Sequence, residues 1–403
     1  MVDLAAIEAA RARLRDAVYT TPCAHSQTLS ELTRTRCFVK LENLQMTGSF
    51  KERGAANLLL QLASAERARG VVAASAGNHG LAVAYHAARL RIPAVIVMPE
   101  WAPLIKVSSA RRYGADVILG GANFDEACAQ ARELGDARDL VFVHPFDDDR
   151  IIAGQGTVGL ELLEQCPDAK AVIVPVGGGG FIGGVAIAMK AHRPDIQVIG
   201  VQSAALPGML RSLEAGERLA VPAAATIADG IAVREVGDRT LELARKLVDR
   251  VVTVGEEELA AAILRLLEIE KTVVEGAGAA PLAALVNRPL ELEGETVVLV
   301  LSGGNIDVTM LSRIIERGLV KDGRMVRLSI VLRDRPGALA RVTEVIAEAR
   351  GNVVQIEHDR AFSRWVAIGE TEVEVTLETS GRPHIDALIA RLRASGYRVE
   401  ERV

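Results

Sequence analysis

No apolar run in this sequence approaches the ~18 residues that span a bilayer, although the mean hydropathy is +0.21. The apolar stretches are short, and Ala171-Val-Ile-Val-Pro-Val176 and Thr296-Val-Val-Leu-Val-Leu301 have the length of buried strands. Met1 to Val18 alternates Ala, Glu and Arg without a signal-peptide core, so the cytoplasm is the expected location and no membrane partner is expected. A basic cluster is also missing: the net charge is −5, and the electrostatic footprint of a nucleic-acid binder is absent. Cys23, Cys37, Cys128 and Cys166 are scattered without CxxC spacing, which reads as reduced, buried thiols rather than disulfides or a zinc site.

What is present is a globular chain with a recurring theme. Its 403 residues suggest roughly two or three domains. From about Gly70 to Val308, short apolar strands end in glycine-rich or polar turns and amphipathic helices follow. Val71–Ser75 runs into Ala76-Gly-Asn-His-Gly80 and a helix over 81–90. Ala94–Met98, Ala115–Leu119 and Leu140–Val143 read as further strands. Ala171–Val176 enters Gly177–Gly180 and a helix over 181–191. Gln197–Val201, Arg250–Val254 and Thr296–Leu301 continue the series, the last ending at Ser302-Gly-Gly-Asn305. Strands alternating with helices argue for an α/β architecture with parallel sheets, whose ligands gather at the carboxyl ends of the strands.

The period changes after Leu319. Val320-Lys-Asp-Gly-Arg324 reads as a linker, and a βαββαβ module of about 75 residues follows. Its first helix carries Leu339, Val342, Ile346 and Ala349 on one face, with Gly351 expected to cap it. Thr371–Leu377 alternates polar and apolar residues like a strand open to water on one face. A second helix carries Ile385, Leu388, Ile389 and Leu392, and a short strand begins at Tyr397.

Lys51 follows a small-residue turn and an aromatic ring, in Thr47-Gly-Ser-Phe-Lys-Glu-Arg-Gly-Ala55. Most lysines are surface residues. An amine that reacts must lose its proton, and partial burial shifts its pKa in that direction. Gly177–Gly180 follows a strand and opens a helix, so its amides can face an anion at a helix N-terminus without Cβ interference. A dinucleotide fingerprint is the alternative, but the next strand, Gln197–Val201, leads to Gln202-Ser203 and not to an acidic residue. The residues alone therefore point to a phosphate-bearing ligand.

Five segments stand in a telling order: Lys40-Leu-Glu-Asn-Leu-Gln45, Ser49-Phe-Lys-Glu-Arg53, Ala74-Ser-Ala-Gly-Asn-His-Gly80, Pro175-Val-Gly-Gly-Gly-Gly180 and Ser302-Gly-Gly-Asn305. Together they resemble the fold-type-II pyridoxal-phosphate enzymes, and within them the threonine ammonia-lyases (threonine dehydratases), with serine dehydratases and serine racemase nearby. The resemblance implies a catalytic region over 1–320, similar to the tryptophan synthase β fold, with two parallel-sheet Rossmann-like lobes. The small lobe, roughly 45–145, would be inserted in the large one. It also implies pyridoxal 5′-phosphate on Lys51, which would then act as base on the α-proton. Phe50 would pack against the pyridine ring, and Asn78 would meet the 3′-hydroxyl. Gly177, Gly178, Gly179, Gly180 and Phe181 would cradle the phosphate, and Ser302 would meet the pyridine nitrogen. The turn Ser75, Ala76, Gly77, Asn78 and His79 would hold the substrate carboxylate. Ser302 is neutral, which makes the ring a mild electron sink suited to β-elimination.

Departures from relatives narrow the chemistry. His79 points away from cysteine synthesis, and Ala76 replaces the serine that racemisation uses as its second acid/base. Gln202 and Gly208 stand where serine racemase has the carboxylates of its divalent metal site, so no metal is expected. Glu275 reads equally as support for the site or as a solvated surface residue.

Past a linker at 321–327, residues 328–403 resemble an α+β ACT domain, on Asp334-Arg-Pro-Gly-Ala-Leu339 and Gly351-Asn352. Pro336 fits an early helix position and Gly337 allows close approach. Asp334, Gly337, Leu339 and Asn352 are the candidate regulatory residues, for an amino-acid effector such as isoleucine; a purely oligomerising module is the alternative. The expected reaction is deamination of L-threonine to 2-oxobutyrate, with L-serine also accepted, by a homodimer or homotetramer placed in isoleucine biosynthesis. A broad serine or hydroxyaspartate dehydratase and a non-catalytic amino-acid sensor remain open.

Overall fold

The computed structural model describes residues 2–102, 104–359 and 367–402. By its internal contacts the chain divides into Met1–Ile306 and Asp307–Val403. Among the described residues the first unit carries ten strands: β1 (Cys23–His25), β2 (Arg36–Lys40), β3 (Val71–Ala74), β4 (Ala94–Met98), β5 (Asp116–Leu119), β6 (Val141–Phe142), β7 (Ala171–Pro175), β8 (Gln197–Ser203), β9 (Arg250–Val254) and β10 (Thr296–Val300). They form a six-stranded sheet in the order β1-β2-β10-β7-β8-β9 and a four-stranded sheet in the order β5-β4-β3-β6. All neighbours are parallel except β1, which pairs antiparallel with β2.

Every residue of β3, β4 and β7 is buried, as expected of central strands covered by helices on both faces. The edge pair β1–β2 is the departure from the sequence reading, which begins its strand series near Gly70. Its partner β10 lies more than two hundred residues away, with Val298 facing Phe38. No local pattern announces such a pairing.

Three helices meet behind the site: Lys51–Leu60, Asp149–Gln165 and Gly180–His192. Glycines bring them together. A Cβ at Gly154 would collide with the carbonyl of Arg53, and one at Gly156 would stand 2.8 Å from the carbonyl of Gly184. A buried ionic cluster fixes the first helix in place. Arg53 donates to Glu42 through Nε and Nη2 (both 2.7 Å) and to Glu161 through Nη1 and Nη2 (2.6 and 2.9 Å). Lys40 also pairs with Glu161. Paired on all sides, these charges are tolerated in the interior; singly they would be costly.

The second unit opens with the helix Val308–Lys321, so the contact boundary falls at 306/307 rather than at the end of that helix. The 321–327 segment is a turn followed by the start of β11 (Met325–Arg333). β12 (Asn352–Asp359), β13 (Glu370–Glu378) and β14 (Arg398–Arg402) complete an antiparallel sheet in the order β12-β13-β11-β14. Helices Ala338–Glu348 and Arg382–Ala394 pack on it through Val342, Ile346, Leu388 and Leu392. Strand β13 alternates half-buried and buried residues along its length.

Two local expectations are corrected. Arg350, with φ 62°, takes the left-handed position after the helix instead of Gly351. Gly351 is small for another reason: a Cβ there would press on Leu388 at 2.8 Å and Ile346 at 3.0 Å. Pro336 lies in the turn before the helix, whose N-cap is Gly337 at φ 82°. Leu339 is partly buried in the core of this unit, and Asn352 donates to Glu378 on β13 (2.8 Å). Asp334 lies in the same turn as Pro336, and its amide donates to Gly369 O at 2.9 Å. Among the described residues, no helix is long and apolar enough to cross a membrane.

Candidate active site

The carboxyl ends of β3, β7 and β10 open on one cavity of about 280 Å³. Ser75–His79, Gly177–Phe181 and Ser302 line it, with Phe50 and Lys51 beside them. Lys51 is brought there by a zipper between the loop before it and the loop after β10. Gly304 N donates to Gly48 O (2.9 Å), Phe50 N donates to Ser302 O (3.0 Å), and Ser49 bridges Gly303.

Lys51 Nζ donates to the carbonyl of Pro145 at 2.9 Å and lies 5.2 Å from the centre of the Phe50 ring. Burial pulls its amine down to about 8, against 10.5 in water, while the Glu275 carboxylate acts in the opposite direction. A neutral fraction of about a tenth therefore exists at pH 7, far more than a free lysine offers, which a nucleophile and base requires. Phe50 stacks on Phe181 at 3.9 Å and 13°.

Asn78 opens the helix Asn78–Leu90. Its Nδ2 donates to Glu275 Oε1 (2.7 Å), and its Oδ1 accepts from Asn305 Nδ2 (2.8 Å). An amide nitrogen carries two donors, so one remains for a ligand. Glu275 is buried at 3% exposure, which corrects the surface reading. Burial, with help from Asp229, raises its carboxyl above the usual range.

The glycine turn is built as a cradle. Gly179 adopts φ +93°, open to glycine but not to ordinary residues. A Cβ at Gly178 would fall on the Phe146 ring, and one at Gly180 would stand 2.5 Å from Phe146 O. Thr240 Oγ1 donates to Gly178 O at 2.6 Å, which fixes the orientation of the turn. Its amides stand at the N-terminus of the helix Gly180–His192, a place that favours an anion. Ser302 is buried, and among the described residues its hydroxyl has no hydrogen-bond partner although the residue lines the cavity. An anion cradle, a free hydroxyl and a depressed lysine fit a phosphate-bearing aldehyde cofactor.

Several residues of the site were not foreseen. His144 Nδ1 accepts from the amides of Asp147 (2.8 Å) and Phe146 (3.2 Å), folding the turn that aims Pro145 O at Lys51. Burial holds this imidazole neutral, pushed down to about 4. Lys106 and Asp229 also line the cavity and pair at 2.6 Å. His79 is buried, its Nε2 lies 2.9 Å from Val143 O, and burial pushes it down to about 3. A neutral ring facing a carbonyl must donate, so Nε2 carries the proton. Gln202 is buried and accepts from Leu210 N (2.9 Å), and Gly208 opens the next helix. Among the described residues, no group of three or more His, Cys, Asp or Glu is set to hold a metal ion.

The chain belongs to the pyridoxal-phosphate dependent enzyme family, whose model matches residues 14–303, and an ACT domain matches residues 326–395. At finer grain, it is 49% identical over 399 residues to the L-threonine ammonia-lyase of Thermotoga maritima, with 99% of both chains covered. Among solved structures it is similar to threonine deaminase isoform 2 from Solanum lycopersicum, at TM-score 0.74 and 37% identity over 78% of this chain and 91% of that one. Maize serine racemase is also similar, at TM-score 0.74 and 35% identity over 79% and 98% of the two chains.

Proposed function

We propose that this chain is a threonine ammonia-lyase, converting L-threonine to 2-oxobutyrate and ammonium by β-elimination and accepting L-serine as a second substrate. The observation that carries the reading is the depressed Lys51 amine facing an anion cradle and a free serine hydroxyl, in a chain similar along its whole length to a protein of that activity.

Bound pyridoxal phosphate supplies an electron sink for the pair left at Cα when its proton departs. The amides of Gly177–Gly180 would hold the phosphate, and Phe50 would support one face of the ring. The remaining Asn78 donor would meet the 3′-hydroxyl, and the Ser302 hydroxyl would meet the ring nitrogen. A neutral hydroxyl there would leave the ring a mild electron sink, suited to loss of a β-hydroxyl. The Ser75–His79 amides, at the N-terminus of the helix Asn78–Leu90, hold the substrate carboxylate. Lys51 Nζ takes the α-proton. His79 and His144, both neutral, add no positive charge that would compete with it.

Serine differs from threonine by one methyl, worth only ~1–3 kcal/mol in a pocket, so both substrates are turned over. The ACT unit binds an amino-acid effector, with isoleucine the first to test by calorimetry; no heat and unchanged activity would remove that assignment. The enzyme works in the cytoplasm as a homo-oligomer. Release of 2-oxo acid from L-threonine and L-serine by the purified protein tests the activity. Silence with both substrates, despite bound cofactor, overturns it in favour of a sensing role.

A further inference from the structure

Lys106 comes from the helix Leu104–Arg112, which follows β4 of the four-stranded sheet. Asp229 opens the short turn Asp229–Ile231, which lies between β8 and β9 of the six-stranded sheet. Their ion pair, at 2.6 Å, joins the two lobes. The partners are unequally shielded: the lysine side chain is 15% exposed and the aspartate 54%. An aspartate half in water loses little when it gives up an ion pair, whereas a shielded ammonium needs an anion at all times.

The ammonium also stands beside the turn that receives a carboxylate. A Cβ at Gly77, in the middle of Ser75–His79, would lie 3.9 Å from Lys106 Nζ. Glu275, the other acidic side chain lining the cavity, is held toward its neutral form by burial. Of these two carboxyls, Asp229 is the one in ion-pair contact with Lys106, at 2.6 Å.

We infer that Lys106 anchors the substrate α-carboxylate and that Asp229 holds it in reserve: an entering amino acid takes over the ammonium and releases Asp229 to water. The exchange swaps one carboxylate for another, so the shielded charge is never left bare. The identity of the substrate rests on the lyase reading; the anchor extends that reading to a residue outside the amide turn.

Two substitutions separate this role from a mere strut between lobes. Breaking a strut from either side has the same consequence, so Lys106→Met and Asp229→Asn would move substrate affinity in the same direction. A reserved cation gives opposite signs. The measurement uses the full-length holoenzyme and L-2-aminobutyrate, which lacks a β-leaving group, with binding read from the cofactor's absorbance. KM and kcat for L-threonine are measured alongside. Lys106→Met weakens binding about tenfold, as expected for loss of a partly screened charge contact, and raises KM more than it lowers kcat. Lys106→Arg, which keeps the cation, recovers most of the loss. Asp229→Asn tightens binding by about threefold. Shifts of the same sign, or no shift in either variant, overturn the anchor. Opposite signs in a protein that leaves L-threonine intact uphold the anchor and sink the lyase reading alone.

Discussion

Replacing Gly178 with alanine tests the cradle at the place where the structure is least forgiving. The new Cβ would land against Cγ and both Cδ atoms of Phe146. Carbon atoms are comfortable at roughly 3.5–4.0 Å, so the overlap exceeds about 1 Å at three atoms together. Turning the ring about its own axis leaves Cγ in place, so relief needs a new χ1 rotamer or a shift of the Phe146 backbone. The amide of Phe146 donates to His144, and the carbonyl beside it in the chain, that of Pro145, accepts from Lys51. A shift of the Phe146 backbone disturbs the lysine, and moving Gly178 breaks its bond to Thr240. Overpacking of this kind costs about 1–3 kcal/mol. Expressed in cofactor binding, that is a loss of roughly 5- to 150-fold in affinity. Titrating cofactor-free protein with pyridoxal phosphate and following its absorbance reads the effect. Phe146→Ala in the Gly178→Ala background removes the obstacle and recovers part of the affinity. Wild-type affinity in Gly178→Ala, or no recovery in the double variant, would refute the reasoning.

Other consequences of the structure are open to equally direct measurement. Arg53→Leu leaves Glu42 and Glu161 as buried charges with one partner fewer each, and the expected loss is ~3–5 kcal/mol, read from the midpoint of urea unfolding. The reactive form of Lys51 is the neutral amine, so cofactor capture by the apo-protein accelerates as pH rises and levels off above about 8; a continued rise toward 10.5 would contradict the lowered value. The two buried histidines set a different window. Their folded values, about 4 for His144 and about 3 for His79, lie below the unfolded 6.5. The unfolded chain then binds protons first as pH falls, so stability declines from about pH 6.5 toward 4. His144→Asn, measured by denaturation across that range, shows a shallower decline.

Much of the catalytic unit was readable because its central strands are buried on both faces. Ala94–Met98, Ala171–Pro175 and the last four residues of Thr296–Val300 announce themselves as apolar runs between turns. The glycine turn was readable for a related reason: a backbone that must pack against Phe146 and adopt a positive φ demands glycine. The pair β1–β2 was not, since its strands are three and five residues long and are secured by a distant β10. Burial of Glu275 is likewise created by chain segments remote from it. Phe146, His144 and Thr240 are ordinary residues in sequence, and only proximity to Gly178 and Lys51 gives them a task. One signal could have found the first two. His144-Pro-Phe-Asp-Asp148 follows β6 and precedes a helix, and so is another turn at the carboxyl end of a parallel strand. Lys106 and Asp229 carry no comparable signal, because they meet only when the two lobes come together.

The most direct test of the account is to find which amine carries the cofactor. Borohydride reduction of the holoenzyme, followed by proteolysis and mass spectrometry, locates the phosphopyridoxyl group on a single peptide. The account predicts the peptide containing Lys51, with no label in Lys51→Ala. Label on another lysine, or undiminished label in the variant, would contradict it.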